Sequence, residues 1–254
     1  MSEQPPPIDL SALDAIPELA WAALAQKRIY FGHKSVGDNI VAGIREVMRL
    51  RPRIRLRIVD TAEPASLAEP GFAHSHLGTN GDPNSKFKAF ADVLASGIGD
   101  QADIAMFKLC YADIGVNTDP NRVFESYRGT ISDLRCRFPR VAFVHVTTPL
   151  TTIQTGIKAA IKWSLGRPLS GHVQNCRREE YNAFVRSTYG PDGCVVDLAA
   201  TQSVQPDGTA VVFRRHGSQV RCLAREYTCD GGHLNQVGRL IAAMQVLSVL
   251  AQCD

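Results

Sequence analysis

Near the end of the sequence an acid and a histidine stand three residues apart, in Tyr227-Thr228-Cys229-Asp230-Gly231-Gly232-His233-Leu234-Asn235. Two glycines separate them, and an apolar helical pattern follows at once. Such a loop presents both side chains at a helix start. There the carboxylate can accept the Nδ1 hydrogen of the imidazole, leaving Nε2 free to take a proton from a nucleophile. The missing nucleophile is best supplied by Ser35, in Tyr30-Phe31-Gly32-His33-Lys34-Ser35-Val36-Gly37, where an apolar run meets the start of a helix. Standing alone, a serine at such a junction is more often a cap than a nucleophile. The pairing with Asp230 and His233 is what raises it.

Other residues with chemistry cluster in three places. His33 adjoins Ser35 and is a candidate for orienting substrate or the serine itself. His74 and His76 form an H-x-H pair whose rings fall on one side of an extended segment. Substrate hydrogen bonding is the favoured reading, and a metal site with Asp82 or Asp113 is the lesser one. Lys108, Tyr111 and Asp113 follow an apolar strand, where an open parallel sheet places its ligands, and are candidate substrate-binding residues. Lys108 is equally readable as a snorkelling surface lysine, and Cys110 as a small buried hydrophobe.

The elements that must position these groups alternate. Residues 1–10 are expected to lack regular structure, and Ser11 to Ala25 to form a short amphipathic helix. From residue 26 onward one domain is expected, because 254 residues with 44% hydrophobic and 21% charged content can bury a single full core. Strands are predicted at Arg28–Phe31, Ile54–Val59, Ile104–Leu109, Val141–Thr147 and Cys194–Leu198. Helices are predicted from Val36, over Lys86–Ile98, from Asp119-Pro120 to Phe138, from Asn175 to Tyr189 and over Gln236–Gln252. Asp60 to Ser85 reads as a long binding loop. Val211–Arg215 and Gln219–Leu223 read as a hairpin turning at His216-Gly217-Ser218. Together these give a parallel sheet covered by helices on both faces.

A net charge of +3 gives no argument for nucleic acid. Arg49, Arg51, Arg53, Arg55 and Arg57 alternate with Leu50, Pro52, Ile54, Leu56 and Ile58, the pattern of an edge strand protected by charge. Seven cysteines without a C-x-x-C pair fit reduced thiols in a cytoplasm, the alternative being one Cys222–Cys229 bridge. The first residues lack the basic and apolar regions of an export signal, and no run of about 18 apolar residues occurs. A cytoplasmic protein without membrane span or organic cofactor is therefore expected.

These blocks resemble the SGNH (GDSL-like) hydrolase superfamily. Asp230-Gly231-Gly232-His233-Leu234 is similar to its closing D-x-x-H block, and Phe31-Gly32-His33-Lys34-Ser35-Val36-Gly37 to its opening Gly-Asp-Ser block, with His33-Lys34 where one Asp belongs. The resemblance implies a flavodoxin-like three-layer α/β/α sandwich, here with a five-stranded parallel sheet and a small β-hairpin insertion. It implies a catalytic serine, aspartate and histidine at Ser35, Asp230 and His233. It further implies an oxyanion hole from the amides of Ser35 and Gly78. The family's Gly-x-Asn-Asp block falls on Cys110-Tyr111-Ala112-Asp113, which lacks the asparagine, and Asn80 is the substitute donor. The expected activity is hydrolysis of a short acyl ester of a carbohydrate or other small polar molecule through an acyl-serine. The rival expectations are a non-catalytic glycan-binding or scaffold protein on the same fold, and an acyltransferase using the same serine.

Overall fold

The computed structural model describes residues 8–215 and 218–253. Two short helices, α1 (Ser11–Asp14) and α2 (Glu18–Leu24), lead into β1 (Arg28–His33) and α3 (Val36–Leu50). Then come β2 (Ile58–Asp60), β3 (Gly71–His76), α4 (Pro83–Val93), the short α5 (Gly99–Gln101), β4 (Ile104–Phe107) and α6 (Pro120–Arg137). The rest is β5 (Ala142–Val146), α7 (Ile157–Ser164), α8 (His172–Tyr189), β6 (Val195–Val196), α9 (Leu198–Gln202), β7 (Val212–Arg215), β8 (Ser218–Arg221) and α10 (Gln236–Leu250).

Six parallel strands run in the order β2-β3-β1-β4-β5-β6, and β7-β8 form a separate antiparallel pair. Without the edge strand β2, the order is the flavodoxin one. Side chains alternate across the central strands. Ile29, Phe31, Ile104, Met106, Val144 and Val146 pack with α3 and α10, while Tyr30, Ala105, Phe107 and Phe143 pack with α4, α6 and α8. Both faces are covered, which is why these strands read as continuous apolar runs.

The sheet has six strands rather than the expected five. β3 lies inside the stretch expected to be a loop, since Gly71-Phe72-Ala73-His74-Ser75-His76 carries too many polar residues to read as a central strand. The arginine-rich segment does lead to the sheet edge, but only Ile58–Asp60 pairs there. Arg51 and Arg53 instead bind Asp14, and Arg57 binds the carbonyls of Ser66, Glu69 and Pro70. The segment is anchored by side chains rather than by a ladder.

The helix expected from Asn175 begins earlier, at His172; Asn175 is fully buried and clamps the backbone of Thr151 from both sides. Cys194 and Cys253 are disulfide-bonded, against the expectation of reduced thiols throughout. Cys222 and Cys229 remain free, the first buried near Ile153 and Val220 and the second open to solvent. The hairpin forms as expected, while its turn at 216–217, like the expected tail at 1–7, lies outside the described residues. No helix among the described residues is long and apolar enough to cross a membrane.

Candidate active site

Ser35 owes its position to a tight reversal between β1 and α3. Lys34 to Gly37 forms a type II′ turn, with Ser35 at φ 58°, ψ −109° and the Gly37 amide donating to the Lys34 carbonyl at 3.1 Å. Ser35 is the one non-glycine residue with positive φ among the described residues. This position ordinarily takes glycine, and holding a serine there stores about 1–3 kcal/mol of strain. Neighbours hold the turn in place: the Lys34 ammonium donates to the Gly78 carbonyl at 2.9 Å, and the Cys110 thiol donates to the Lys34 carbonyl at 3.1 Å. Glycine is required just upstream, because a Cβ on Gly32 would lie 2.0 Å from Leu77.

Although Ser35 precedes α3, its hydroxyl caps no helix amide. It bonds the Nε2 of His233 at 2.7 Å, and His233 Nδ1 bonds Asp230 Oδ2 at 2.7 Å. The other Asp230 oxygen accepts the amides of Gly232 and His233, both at 2.8 Å. Desolvation pushes the Asp230 carboxyl up, but these hydrogen bonds outweigh it and bring it down to about 2. The loop is tied to α3 by Asn39, whose side-chain oxygen accepts the Leu234 amide at 2.9 Å. The line is open to solvent, with His233 and Asp230 side chains 46% and 56% exposed.

Tyr111 packs its ring edge-on to His233, 5.8 Å between centroids. Its phenol is pushed up by desolvation and by the Asp230 charge, with the Ser35 hydroxyl opposing. Arg178 lies over that ring, 5.7 Å from its centroid, and donates to the Tyr111 carbonyl at 2.9 Å. Burial lowers its guanidinium to about 10. Nothing in the sequence singled out Arg178, which sits inside an ordinary charged helix pattern.

Gly78 follows β3 with φ +55°, where a Cβ would meet the Lys86 amide nitrogen at 2.7 Å. Asn80 Oδ1 accepts the Lys86 ammonium at 2.9 Å. Lys86 is buried and also bonds Asp113 Oδ2 at 2.5 Å. Asp113 accepts the Cys110 amide at 2.6 Å and the Gly81 amide at 2.8 Å. It is 2% exposed and both its oxygens are bonded internally, so it braces the Gly78–Gly81 loop. Lys108 is equally buried, bonded to the Leu109 carbonyl and the Cys110 sulfur at 3.3 Å each. Burial drives its pKa down. Neither the surface reading nor the substrate-binding reading of Lys108 fits that position. Lys86, the partner that organises this loop, had no sequence signal beyond its place on an amphipathic helix.

His33 is also buried, bonding His74 through Nε2···Nδ1 at 3.0 Å. Asp82 caps α4 and Asp113 is engaged by Lys86, so neither joins the H-x-H pair. Among the described residues, those that could hold a metal are instead His33, Asp38 and His76.

No protein-family model matches the sequence, and no curated protein matches it. Solved structures do. A candidate platelet activating factor from Streptococcus pneumonia aligns over 95% of this chain and 94% of its own, with TM-score 0.52 and 13% identity. A candidate lipolytic protein of the G-D-S-L family from Desulfitobacterium hafniense DCB-2 aligns over 87% of this chain and 99% of its own, with TM-score 0.51 and 9% identity. Sheet order, flanking helices and these alignments agree: the chain has the three-layer α/β/α fold of the GDSL-like lipolytic proteins, at a divergence where the likeness is one of fold.

Proposed function

We propose that this protein is a serine ester hydrolase that removes a short acyl group from a carbohydrate or other small polar ester. The observation that carries the reading is the unbroken hydrogen-bond line from the Ser35 hydroxyl through His233 to Asp230. In this mechanism Ser35 Oγ attacks the ester carbon while His233 Nε2 takes its proton. The collapsing intermediate breaks the bond to the alcohol, which leaves with the proton that His233 returns. Water, deprotonated by His233, then attacks the acyl-serine and frees the acid and the Ser35 hydroxyl. Asp230 holds the imidazole in the tautomer that leaves Nε2 bare, and its charge stabilises the imidazolium.

The oxyanion donors are the Ser35 amide, the Gly78 amide and the Asn80 side chain. Among the described residues neither amide donates to a protein acceptor. The Lys86 bond fixes Asn80 by its oxygen and leaves its amide hydrogens available. Loss of one donor of this kind lowers kcat on the order of 10²–10³. Tyr111, packed against His233, is the group that meets the polar alcohol portion, and the buried Arg178 holds it in place. Asp113 and Lys108 act as positioning residues.

The test is reaction of wild type and Ser35→Ala with a fluorophosphonate probe and with p-nitrophenyl acetate. The proposal expects one adduct mapped to Ser35, and loss of adduct and hydrolysis together in the variant. An unmodified wild type with the same background rate as Ser35→Ala would overturn it in favour of a binding protein on this fold.

A further inference from the structure

His33, the last residue of β1, is 1% exposed, yet its Nδ1 has no hydrogen-bond partner. Its Nε2 is engaged by His74, so Nδ1 is the nitrogen left over. The nearest charged group in front of it is Asp38 Oδ1, 3.8 Å away and too far for a hydrogen bond. That same oxygen bonds the Nε2 of His76 at 2.8 Å. The three atoms lie within 4.8 Å of one another, brought together from the end of β1, the first turn of α3 and the end of β3.

We propose that His33, Asp38 and His76 form a binding site for a first-row divalent transition cation such as Zn²⁺, lying against the Ser35 turn. Two imidazoles and one carboxylate are a donor set that suits zinc and its neighbours rather than magnesium or calcium. Zinc bonds of about 2.0–2.2 Å in a tetrahedron set ligand atoms about 3.4 Å apart. The 3.8 and 2.8 Å from Asp38 to the two imidazoles lie on either side of that value, and the two imidazole nitrogens are within 4.8 Å of each other, so side-chain adjustments of up to about 1.4 Å complete the site. An ordinary surface ion pair accounts for His76 and Asp38. It does not account for a buried imidazole nitrogen left unbonded, which costs about 1–3 kcal/mol.

The surroundings have the form of a metal site. His74 is the outer partner that fixes the His33 ring through its second nitrogen. Gly37 lets α3 begin against that ring, since a Cβ there would lie 2.3 Å from the His33 side chain. His76 and Asp38 side chains are 58% and 50% exposed, which leaves an entry path and open coordination positions for water. Because His33 and Asp38 flank Ser35 in the chain, the ion would fasten both ends of the strained turn to β3. The site stands on its own donor geometry and does not depend on the hydrolase reading.

The test is calorimetric titration of the full chain, freed of metal with EDTA, with Zn²⁺ alone. Wild type is expected to bind one equivalent with micromolar or tighter affinity. Asp38→Ala and His76→Ala each weaken binding by at least about tenfold, the lower end of what losing even an outer-shell partner does. Both residues are solvent-exposed, so these variants keep the fold, and circular dichroism checks that they do. His233→Ala and the exposed-thiol variants Cys136→Ser and Cys229→Ser are expected to bind as wild type does. Zn²⁺ also raises the melting temperature of wild type and not of Asp38→Ala. No binding by wild type, equal affinity in Asp38→Ala and His76→Ala, or loss of binding in His233→Ala or a cysteine variant would overturn the proposal.

Discussion

Replacing Ser35 with glycine distinguishes a strained nucleophile from a helix cap. The serine sits at φ 58°, ψ −109°, and its hydroxyl bonds His233 rather than an amide of α3. Relief of strain contributes about 1–3 kcal/mol in favour of Ser35→Gly. Against it stand about 0.4–1 kcal/mol of extra chain entropy in the unfolded state and about 0.5 kcal/mol, the low end of the usual range, for an exposed hydrogen bond. The net is a gain of about 1 kcal/mol over wild type, which for a chain of this size raises Tm by about 2–4 °C. Calorimetry and urea unfolding would measure it, with esterase activity lost in the same variant. If the hydroxyl were a cap, glycine would be a few tenths of a kcal/mol less stable than serine. A Ser35→Gly protein no more stable than wild type would therefore refute the strain argument.

Two other perturbations follow from buried charge. Asp113→Asn leaves the buried Lys86 ammonium unpaired and turns an amide against the Cys110 and Gly81 donors, so it should destabilise by about 3–5 kcal/mol, about 6–20 °C in Tm. The double change Lys86→Met, Asp113→Leu should be milder than either single change, and a single change costing under about 1 kcal/mol would show that the pair is not a brace. His145 is buried between Tyr127, Arg135 and Tyr189, and desolvation with the Arg135 charge lowers it to about 3. Below about pH 6.5 the unfolded chain takes up a proton that the folded one refuses, so stability falls as pH drops from about 6.5 to about 3, by up to about 1.4 kcal/mol per pH unit from this residue. Urea midpoints across that window should show a slope that His145→Gln reduces, and an unchanged slope in the variant would remove His145 as its source.

What could be read from the sequence was whatever a local pattern encodes. The strand, tight turn and helix around Ser35 and the glycine-spaced Asp230 and His233 each announce themselves within about ten residues. β3 did not, because its interior positions include His74 and Ser75, whose polar groups are met by His33 and Tyr30 across the sheet. A burial compensated by a distant partner leaves no local trace. The same holds for Lys86 with Asp113 and for Arg178 with Tyr111, pairs separated by 27 and 67 residues. Lys108 and Asp113 stand where an open parallel sheet places its ligands, but a sequence window cannot tell a buried charge from one facing a ligand. The bridge between Cys194 and Cys253 joins residues 59 apart and was equally out of reach.

Ser35 and His233 lie 198 residues apart, and they meet because α3 and α10 touch backbone to backbone at Gly43, where a Cβ would lie 2.2 Å from the Arg239 carbonyl. Synthesis runs from one to the other. At about 5–20 residues per second the ribosome needs about 10–40 s between making the serine and making its base. For that interval the nascent chain carries an unactivated alcohol, incapable of the proposed chemistry on anything near the exit tunnel. On the proposed reading, activity begins only once the loop that carries Asp230 and His233 has docked beside α3.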